Sequence, residues 1–372
     1  MRFPLNGTLE LTARCNLGCK MCFIRLDNKR IAKLGERERT SEEWIQMAQE
    51  MQEAGVGSIL LTGGEPLLRP DFADIYKAMA QMGFMLTLYT NATLVSDEIM
   101  EVFQTYPPHS IGITVYGASP ETYEKVTGSA KAYYSMLEGV DKLRQLPSSL
   151  AIRTTIIKDN LADLEEMTSW AYHLQEEIDF DVSRIVTKAI RGGIADIESC
   201  RLSVEESAKM IRHRTIQYKI NPLKQFLGQY PELLDTMDMQ SLFEQTEEKC
   251  SKTEHTLYGC SAGMTSFTIT WDGKLIGCQM LSDAWTLPFE EGFLRAWDSF
   301  LSQYKIPKLP EECIGCDVRC NACPAARLAE TGAFDRRPEY ICKESQMVNE
   351  MEDELIEELK RVMRKEVCYG EI

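Results

Sequence analysis

Cys15-Asn16-Leu17-Gly18-Cys19-Lys20-Met21-Cys22 is a C-x3-C-x2-C run early in a sequence of 372 residues. Three thiolates this close together do not complete a tetrahedral four-thiolate metal site. They suit a 4Fe–4S cluster held at three of its irons, with the fourth iron open to a small molecule. An open metal position beside a substrate is an arrangement that catalysis uses. A disulfide framework needs an oxidising compartment, and no secretory signal precedes the run. Zinc ordinarily takes four ligands, with paired spacings such as C-x2-C.

A second motif follows. Thr62-Gly63-Gly64-Glu65-Pro66 comes after the apolar run Ser58-Ile59-Leu60-Leu61 and before a helical pattern that starts near Asp71. Gly63 and Gly64 let backbone come close to a ligand. Glu65 offers a carboxylate to an ammonium group, and Pro66 stiffens the turn. Alone, the motif marks a strand-to-helix turn. Behind a three-cysteine run at the end of a first strand it gains chemical meaning.

Together the two motifs resemble the radical S-adenosylmethionine (radical SAM) superfamily. The resemblance implies that Cys15, Cys19 and Cys22 bind a 4Fe–4S cluster whose open iron chelates the amino and carboxylate groups of SAM. An electron from the cluster then cleaves SAM to methionine and a 5′-deoxyadenosyl radical, which abstracts a substrate hydrogen. Gly63, Gly64, Glu65 and Pro66 are expected to meet the methionine amino group. Met21 stands where the family usually has an aromatic residue near the adenine, and methionine is apolar and adaptable.

Further SAM contacts follow from the same resemblance. Thr90-Asn91-Ala92-Thr93 lies where the family often has Thr-Asn-Gly. Asn91 is expected either to hydrogen-bond SAM or to hold the turn itself. In Ile113-Thr114-Val115-Tyr116-Gly117 the family often has Ser at the second position and Asp at the fourth. Thr114 is a candidate SAM contact, and the role of the acidic residue does not carry over to Tyr116. Arg153 and Thr155 share one face of a strand. If that face looks inward, Arg153 meets a carboxylate of SAM or substrate; a structural ion pair is the equal alternative. Lys188, Arg191 and Gly192-Gly193 are candidates for the substrate mouth.

The first 200 or so residues alternate apolar strand patterns (8–13, 58–62, 84–90, 110–116, 151–157, 180–187) with amphipathic helix patterns (41–54, 71–82, 96–105, 132–145, 161–175). Ser41 is expected to cap the first of those helices. Such alternation predicts an α/β fold with a parallel sheet. About six units fit the partial, open (β/α)6 TIM-like barrel that the resemblance implies, with chemistry at the carboxyl ends of the strands. The expected organisation is a barrel over 1–220, a helical bridge over 221–249, a cysteine-rich domain over 250–345 and a C-terminal helix over 346–372.

The chain has 13 cysteines. Around Asp272-Gly273 a β-hairpin is expected, flanked by Cys260 and Cys278. Cys313-x2-Cys316-x3-Cys320-x2-Cys323 and Cys342 follow. This part resembles the SPASM extension of radical SAM enzymes, a small β-hairpin plus helices carrying two auxiliary 4Fe–4S clusters. The gap between Cys316 and Cys320 is shorter than the family's usual one. By the family's order, Cys260, Cys278 and Cys323, with Cys250 as fourth ligand, hold the first auxiliary cluster. Cys313, Cys316, Cys320 and Cys342 hold the second. Three clusters in all are then expected, and one or two zinc sites are the alternative on spacing alone. Cys200 and Cys368 are left over as ordinary residues.

The formal net charge of −16 speaks against nucleic acid, whose phosphates need a basic surface. No apolar run approaches the roughly 20 residues that span a bilayer. Cysteine usage points to a reducing cytoplasm. The resemblance to SPASM proteins implies a ribosomally made precursor peptide as substrate, given a thioether, another crosslink or an epimerised centre. It also implies a flavodoxin- or ferredoxin-type reductant. The first strand pattern starts near residue 8, so leader recognition is expected from another surface or another protein. Rival expectations are a dehydrogenase or maturase acting on a sulfatase residue or a small cofactor precursor, and a non-catalytic iron–sulfur protein. No general base or quenching residue stands out.

Overall fold

The computed structural model describes residues 2–174, 178–185, 191–192, 196–216, 229, 260–281, 284–303, 310–314, 316, 318 and 323–369. Cys250, Cys320, Lys188, Gly193 and nearly all of the expected bridge lie outside these. The chain divides into two units, Met1–Arg201 with His255–Pro307, and Leu202–Glu254 with Lys308–Ile372.

The first unit is built on one eight-stranded sheet of order β6-β5-β4-β3-β2-β1-β7-β8. Its first six strands are β1 (Asn6–Glu10), β2 (Ser58–Thr62), β3 (Met85–Thr90), β4 (Ser110–Thr114), β5 (Ser149–Ile156) and β6 (Asp179–Arg184), each parallel to its neighbour. This is the expected run of βα units in a parallel sheet. The sheet continues past β1. The hairpin strand β7 (Ser266–Ile269) pairs parallel to β1 in the register Gly7↔Phe267, and β8 (Leu275–Ile276) closes antiparallel on β7. The hairpin is joined by residues 270–274 rather than by Asp272-Gly273 alone. Thr270 donates its N–H to the Lys274 carbonyl at 2.9 Å, and Gly273 takes a φ of 89°.

The connecting helices are α1 (Asn28–Leu34), α2 (Ser41–Glu53), α3 (Phe72–Gln81), α4 (Asp97–Thr105), α5 (Pro120–Thr127), α6 (Lys131–Leu143), α7 (Leu164–Leu174) and the short α8 (Ile197–Cys200). α2 is capped by Thr40, not Ser41. The reason lies in the spacing. Glu43 stands three residues after Thr40 and returns its carboxylate to the Thr40 N–H, which closes a capping box. Ser41 has Trp44 at that place and no such return bond. Residues 161–163 form a separate 3-10 turn ahead of α7. The core between sheet and helices is mainly aliphatic, with an aromatic cluster inside it. Phe72, Tyr76 and Phe103 cluster, with Tyr76 and Phe103 edge-on at 4.9 Å, and buried Trp44 meets Phe289 edge-on at 5.4 Å. Such edge-on pairs add about 1 kcal/mol beyond the area they bury.

In the second unit, α9 (Val204–Thr215) starts in another capping box, Ser203 with Glu206, and packs on the long helix Glu339–Tyr369. Two hydrogen bonds fix that pairing. Ser207 donates its hydroxyl to buried Glu344, and Tyr340 donates to the Leu202 carbonyl at 3.1 Å. Helix Pro324–Thr331 begins one residue after Cys323. Among the described residues no helix is long and apolar enough to cross a membrane.

Candidate active site

The carboxyl ends of β1, β2, β3 and β4 carry the two motifs, and backbone bonds hold them edge to edge. β1 and β2 keep pairing beyond their last strand residues. Leu11 donates to the Thr62 carbonyl at 2.9 Å, Gly64 to Thr12 at 2.7 Å and Glu65 to Arg14 at 2.9 Å. A side chain at either glycine would stop this approach. A Cβ on Gly63 would strike the Thr12 carbonyl and one on Gly64 the Arg14 carbonyl, and Gly63 sits at a φ of 147°. The glycine pair therefore sets Glu65 directly beside the start of the cysteine loop.

That loop is anchored to the end of α5. Gly18 donates its N–H to the Thr127 carbonyl at 2.8 Å and Lys20 to Val126 at 3.0 Å, which satisfies carbonyls the helix leaves free in its last turn. Within the loop, Leu17 donates to the Cys15 sulfur at 3.4 Å and Arg25 to the Cys22 sulfur at 3.3 Å. Cys19 and Met21 are buried, while Cys15 and Cys22 are half-buried. Burial is the main reason that all three thiols lie above their ordinary range, Cys15 at about 12. Arg25 acts the other way at Cys15 and Cys22.

Glu65 is 1% exposed. It accepts hydrogen bonds from Thr90 Oγ1 at 2.8 Å, the Asn91 N–H at 2.8 Å and the Leu67 N–H at 3.1 Å. Burial nevertheless pushes its carboxyl up to about 7, and those three bonds only partly offset it. No basic side chain contributes to its titration among the described residues. Asn91 ties the third strand end to the cysteine loop. Its amide donates to Asn16 Oδ1 at 3.0 Å and lies 3.8 Å from the Cys15 sulfur, while its own oxygen accepts from the Thr93 N–H. Asn91 therefore performs the turn-holding role beside the thiols. Ala92, where the resembling family often has Gly, takes a φ of 58° and is the one non-glycine residue with a positive φ among the described residues.

Thr114 closes β4, opposite Arg153 on β5. Arg153 points to the same side as Tyr89 and takes the ion-pair role: it bonds Asp181 of β6 at 2.6 Å and the Tyr89 hydroxyl at 2.6 Å. The structure thus brings together Cys15, Cys19, Cys22, Gly63, Gly64, Glu65, Pro66, Met21 and Asn91, and places Thr114 and Arg153 on neighbouring strands of the same sheet.

Two contacts were not read from the sequence. The Tyr116 phenol lies close enough to Cys19 for the two to influence each other's titration, so a neutral group faces the sulfurs where the family's acidic residue is expected. Glu10 of β1 is completely buried and pairs with Arg191 through both carboxylate oxygens. A charged residue between Leu9 and Leu11 was the available signal for that pair.

The donor set fits an iron–sulfur cluster. Three thiols on one loop, one buried and two half-buried, with cationic Arg25 nearby suit an anionic group, and a bound metal removes the proton that burial otherwise retains. Each thiolate of a cluster holds its own iron, so the sulfurs stand wider apart than ligands of one ion.

The later cysteines fall in both units. Cys260 and Cys278 flank the hairpin in the first, and Cys278 accepts a bond from the Met280 N–H at 3.4 Å. Cys313, Cys316, Cys323 and Cys342 lie in the second.

The model of the radical SAM superfamily matches residues 9–171. An AdoMet-dependent heme synthase of Methanosarcina barkeri is 27% identical over 339 residues, 89% of this chain and 94% of that protein. A PqqA peptide cyclase of Bradyrhizobium diazoefficiens is 26% identical over 231 residues, 58% of each chain. The crystal structure of Streptococcus suis SuiB bound to its precursor peptide SuiA aligns with a TM-score of 0.65 at 17% identity, over 92% of this chain and 76% of that one. At that identity the likeness is one of fold.

Proposed function

We propose, from the premise that residues 9–171 are a radical SAM domain, that the protein uses S-adenosylmethionine to abstract hydrogen from a ribosomally made peptide and installs a thioether or another crosslink, or inverts a centre. The observation that carries the reading is Glu65, a buried carboxylate with no cationic partner among the described residues, one backbone bond away from the loop of Cys15, Cys19 and Cys22. Those cysteines hold the first 4Fe–4S cluster. Bound at its open iron, SAM supplies a 5′-deoxyadenosyl radical.

The other roles belong to this chain's own residues. Glu65 receives the ammonium group of the methionine moiety, and the half-exposed backbone of Gly63 and Gly64 lets it come close. Met21 offers an apolar contact to the adenine. Asn91 fixes the thiol loop to the third strand, and Thr114 and Arg153 lie further along the sheet toward substrate. Cys260 and Cys278 of the first unit, and Cys313, Cys316, Cys323 and Cys342 of the second, are the candidate ligands for auxiliary clusters. Clusters held by these cysteines would supply an acceptor for the electron left after hydrogen abstraction. A flavodoxin- or ferredoxin-type protein delivers the first electron.

The similarity to a PqqA peptide cyclase and the fold shared with SuiB support a peptide substrate. The test is a mass spectrum of a short peptide encoded beside the gene, co-expressed with the protein without oxygen. Loss of two hydrogens per site supports crosslinking. An unchanged mass with deuterium uptake in heavy water supports epimerisation. A peptide that shows neither the mass loss nor deuterium uptake rejects the peptide reading.

A second reading rests on the match that spans 94% of a heme synthase. There the substrate is a small cofactor precursor, and hydrogen abstraction from a porphyrin side chain, followed by chromatography of the pigment, tests it.

A further inference from the structure

Arg191 touches three separated segments at once. Its Nη1 donates to Glu10 Oε2 at 2.9 Å, and its Nη2 donates to Glu10 Oε1. Its Nε donates to the carbonyl of Gln279 at 2.6 Å, one residue after Cys278. Its backbone N–H donates to the carbonyl of Phe23 at 2.8 Å, one residue after Cys22, and the Gly192 N–H shares that oxygen. The guanidinium also lies 5.7 Å from the Phe23 ring centre. A Cβ on Gly192 would sit 2.6 Å from the Arg25 carbonyl, so the chain lies directly on the cysteine loop here.

Only arginine can make this set of bonds. Its planar fork offers two parallel N–H groups to a carboxylate and a third N–H in another direction. A lysine ammonium can pair with Glu10 but cannot hold the Gln279 carbonyl in the same geometry. A buried ion pair is by itself weak evidence for added stability, because desolvation cancels much of the attraction. The contacts with Phe23 and Gln279 give this pair something further to do.

We propose that Arg191 is a positioning residue that fixes the segment carrying Cys278 against the loop carrying Cys22, with Glu10 as its buried anchor. Its functional value rests on the reading that both cysteines ligate clusters. The distance and orientation between those two sites are then set by one guanidinium rather than by the sheet alone.

Amide hydrogen exchange of the protein as isolated, with the iron it holds, tests the clamp directly. In the Arg191→Lys variant, amide hydrogen exchange is expected to rise at least tenfold in residues 278–281 and in residues 22–26. Exchange in β3, β4 and β5 is expected to stay as in the parent. Unchanged exchange in both segments overturns the proposal. A uniform rise across the sheet overturns it too, because it marks an ion pair that merely holds the fold. A Glu10→Leu/Arg191→Met double variant removes the charges without leaving one unpaired, and it must reproduce the two-segment pattern.

A second readout uses the iron-loaded enzyme. Arg191→Lys is expected to keep the parent's iron content and to alter the paramagnetic resonance spectrum of the reduced clusters, by changing the distance between them. An unchanged spectrum overturns the positioning role. Absence of iron at Cys278 in the parent strikes the cluster reading instead, and the exchange pattern still judges the clamp.

Discussion

The Glu65 carboxylate accepts the backbone N–H of Asn91 at 2.8 Å, which ties the turn after β2 to the turn after β3. With Thr90 and Leu67 also donating to it, the carboxylate is oriented from two strand ends before any ligand arrives. Three neutral donors orient a carboxylate without neutralising it. Burial keeps its titration near 7, so a cationic ligand gains most where the group would otherwise begin to hold its proton.

That placement fixes how pH acts. Burial lifts the folded carboxyl to about 7 from its ordinary 4.5, so the folded state binds this proton more tightly than the unfolded one. The stability that Glu65 contributes is full below about pH 4.5 and is lost as pH rises through 7, by roughly 3 kcal/mol in all. SAM binding runs the other way, because an ammonium group prefers the ionised carboxylate. Affinity is expected to rise roughly eightfold between about pH 6 and 7.5. Glu65→Gln should flatten both trends against the parent and weaken SAM binding at least tenfold. Paired calorimetric titrations and melting curves across that range check it; a variant with the parent's pH profile removes Glu65 from the SAM site.

Substitution of Cys15, Cys19 and Cys22 together by Ala is expected to remove about four irons per chain, the content of one 4Fe–4S cluster. Release of 5′-deoxyadenosine should fall to background, and the irons bound by the later cysteines should stay. Iron analysis and chromatography of the nucleoside on one preparation check both. Nucleoside release that survives the triple variant rejects the catalytic reading and leaves an iron–sulfur protein of another kind.

The barrel strands and both motifs were legible because each is local. Apolar strand patterns gave β2 and β3 to within a residue or so, and the C-x3-C-x2-C and Gly-Gly-Glu-Pro spacings carry their chemistry within a few residues. What escaped depends on contacts far apart in the chain. The hairpin around Gly273 was expected, but not that Phe267 would stand beside Gly7 and lengthen the parallel sheet. Ser41 and Thr40 are equally good caps by type, and only the return bond from Glu43 separates them. Arg191 and Glu10 are 181 residues apart, so no window of sequence holds both. Tyr116 reads as an ordinary strand-end residue until the fold sets its phenol close to Cys19.

Gly63 and Gly64 are steric requirements as much as ligand contacts. Their would-be Cβ atoms meet backbone carbonyls of Thr12 and Arg14, which no side-chain rotation can relieve. Gly64→Ala should therefore push β2's end away from the thiol loop, lower the melting temperature and cut iron retention in chains whose cysteines are intact. A cost of about 3 kcal/mol is expected from overpacking of this kind. Denaturant unfolding of the metal-free protein isolates that cost, and an unchanged midpoint argues that the two strand ends are not locked by the glycine.

Gly139 of α6 carries the same argument to the third strand end. A Cβ there would collide with the carbonyl of Ala92, the residue held at a φ of 58° next to Asn91. Left-handed backbone at a residue with a Cβ already costs about 1–2 kcal/mol, so the turn has little room to shift without losing its shape. Gly139→Ala is expected to destabilise the fold by about 3 kcal/mol. It should also weaken SAM binding, because Asn91 carries both the Glu65 bond and the bonds to Asn16 and Cys15. Surface substitution Glu138→Ala, one residue away on the same helix, serves as the control and should leave both quantities unchanged. Melting curves and SAM titrations on the two variants read the outcome. Lost stability with unchanged SAM affinity would mean that the Ala92 turn supports the fold without holding the site.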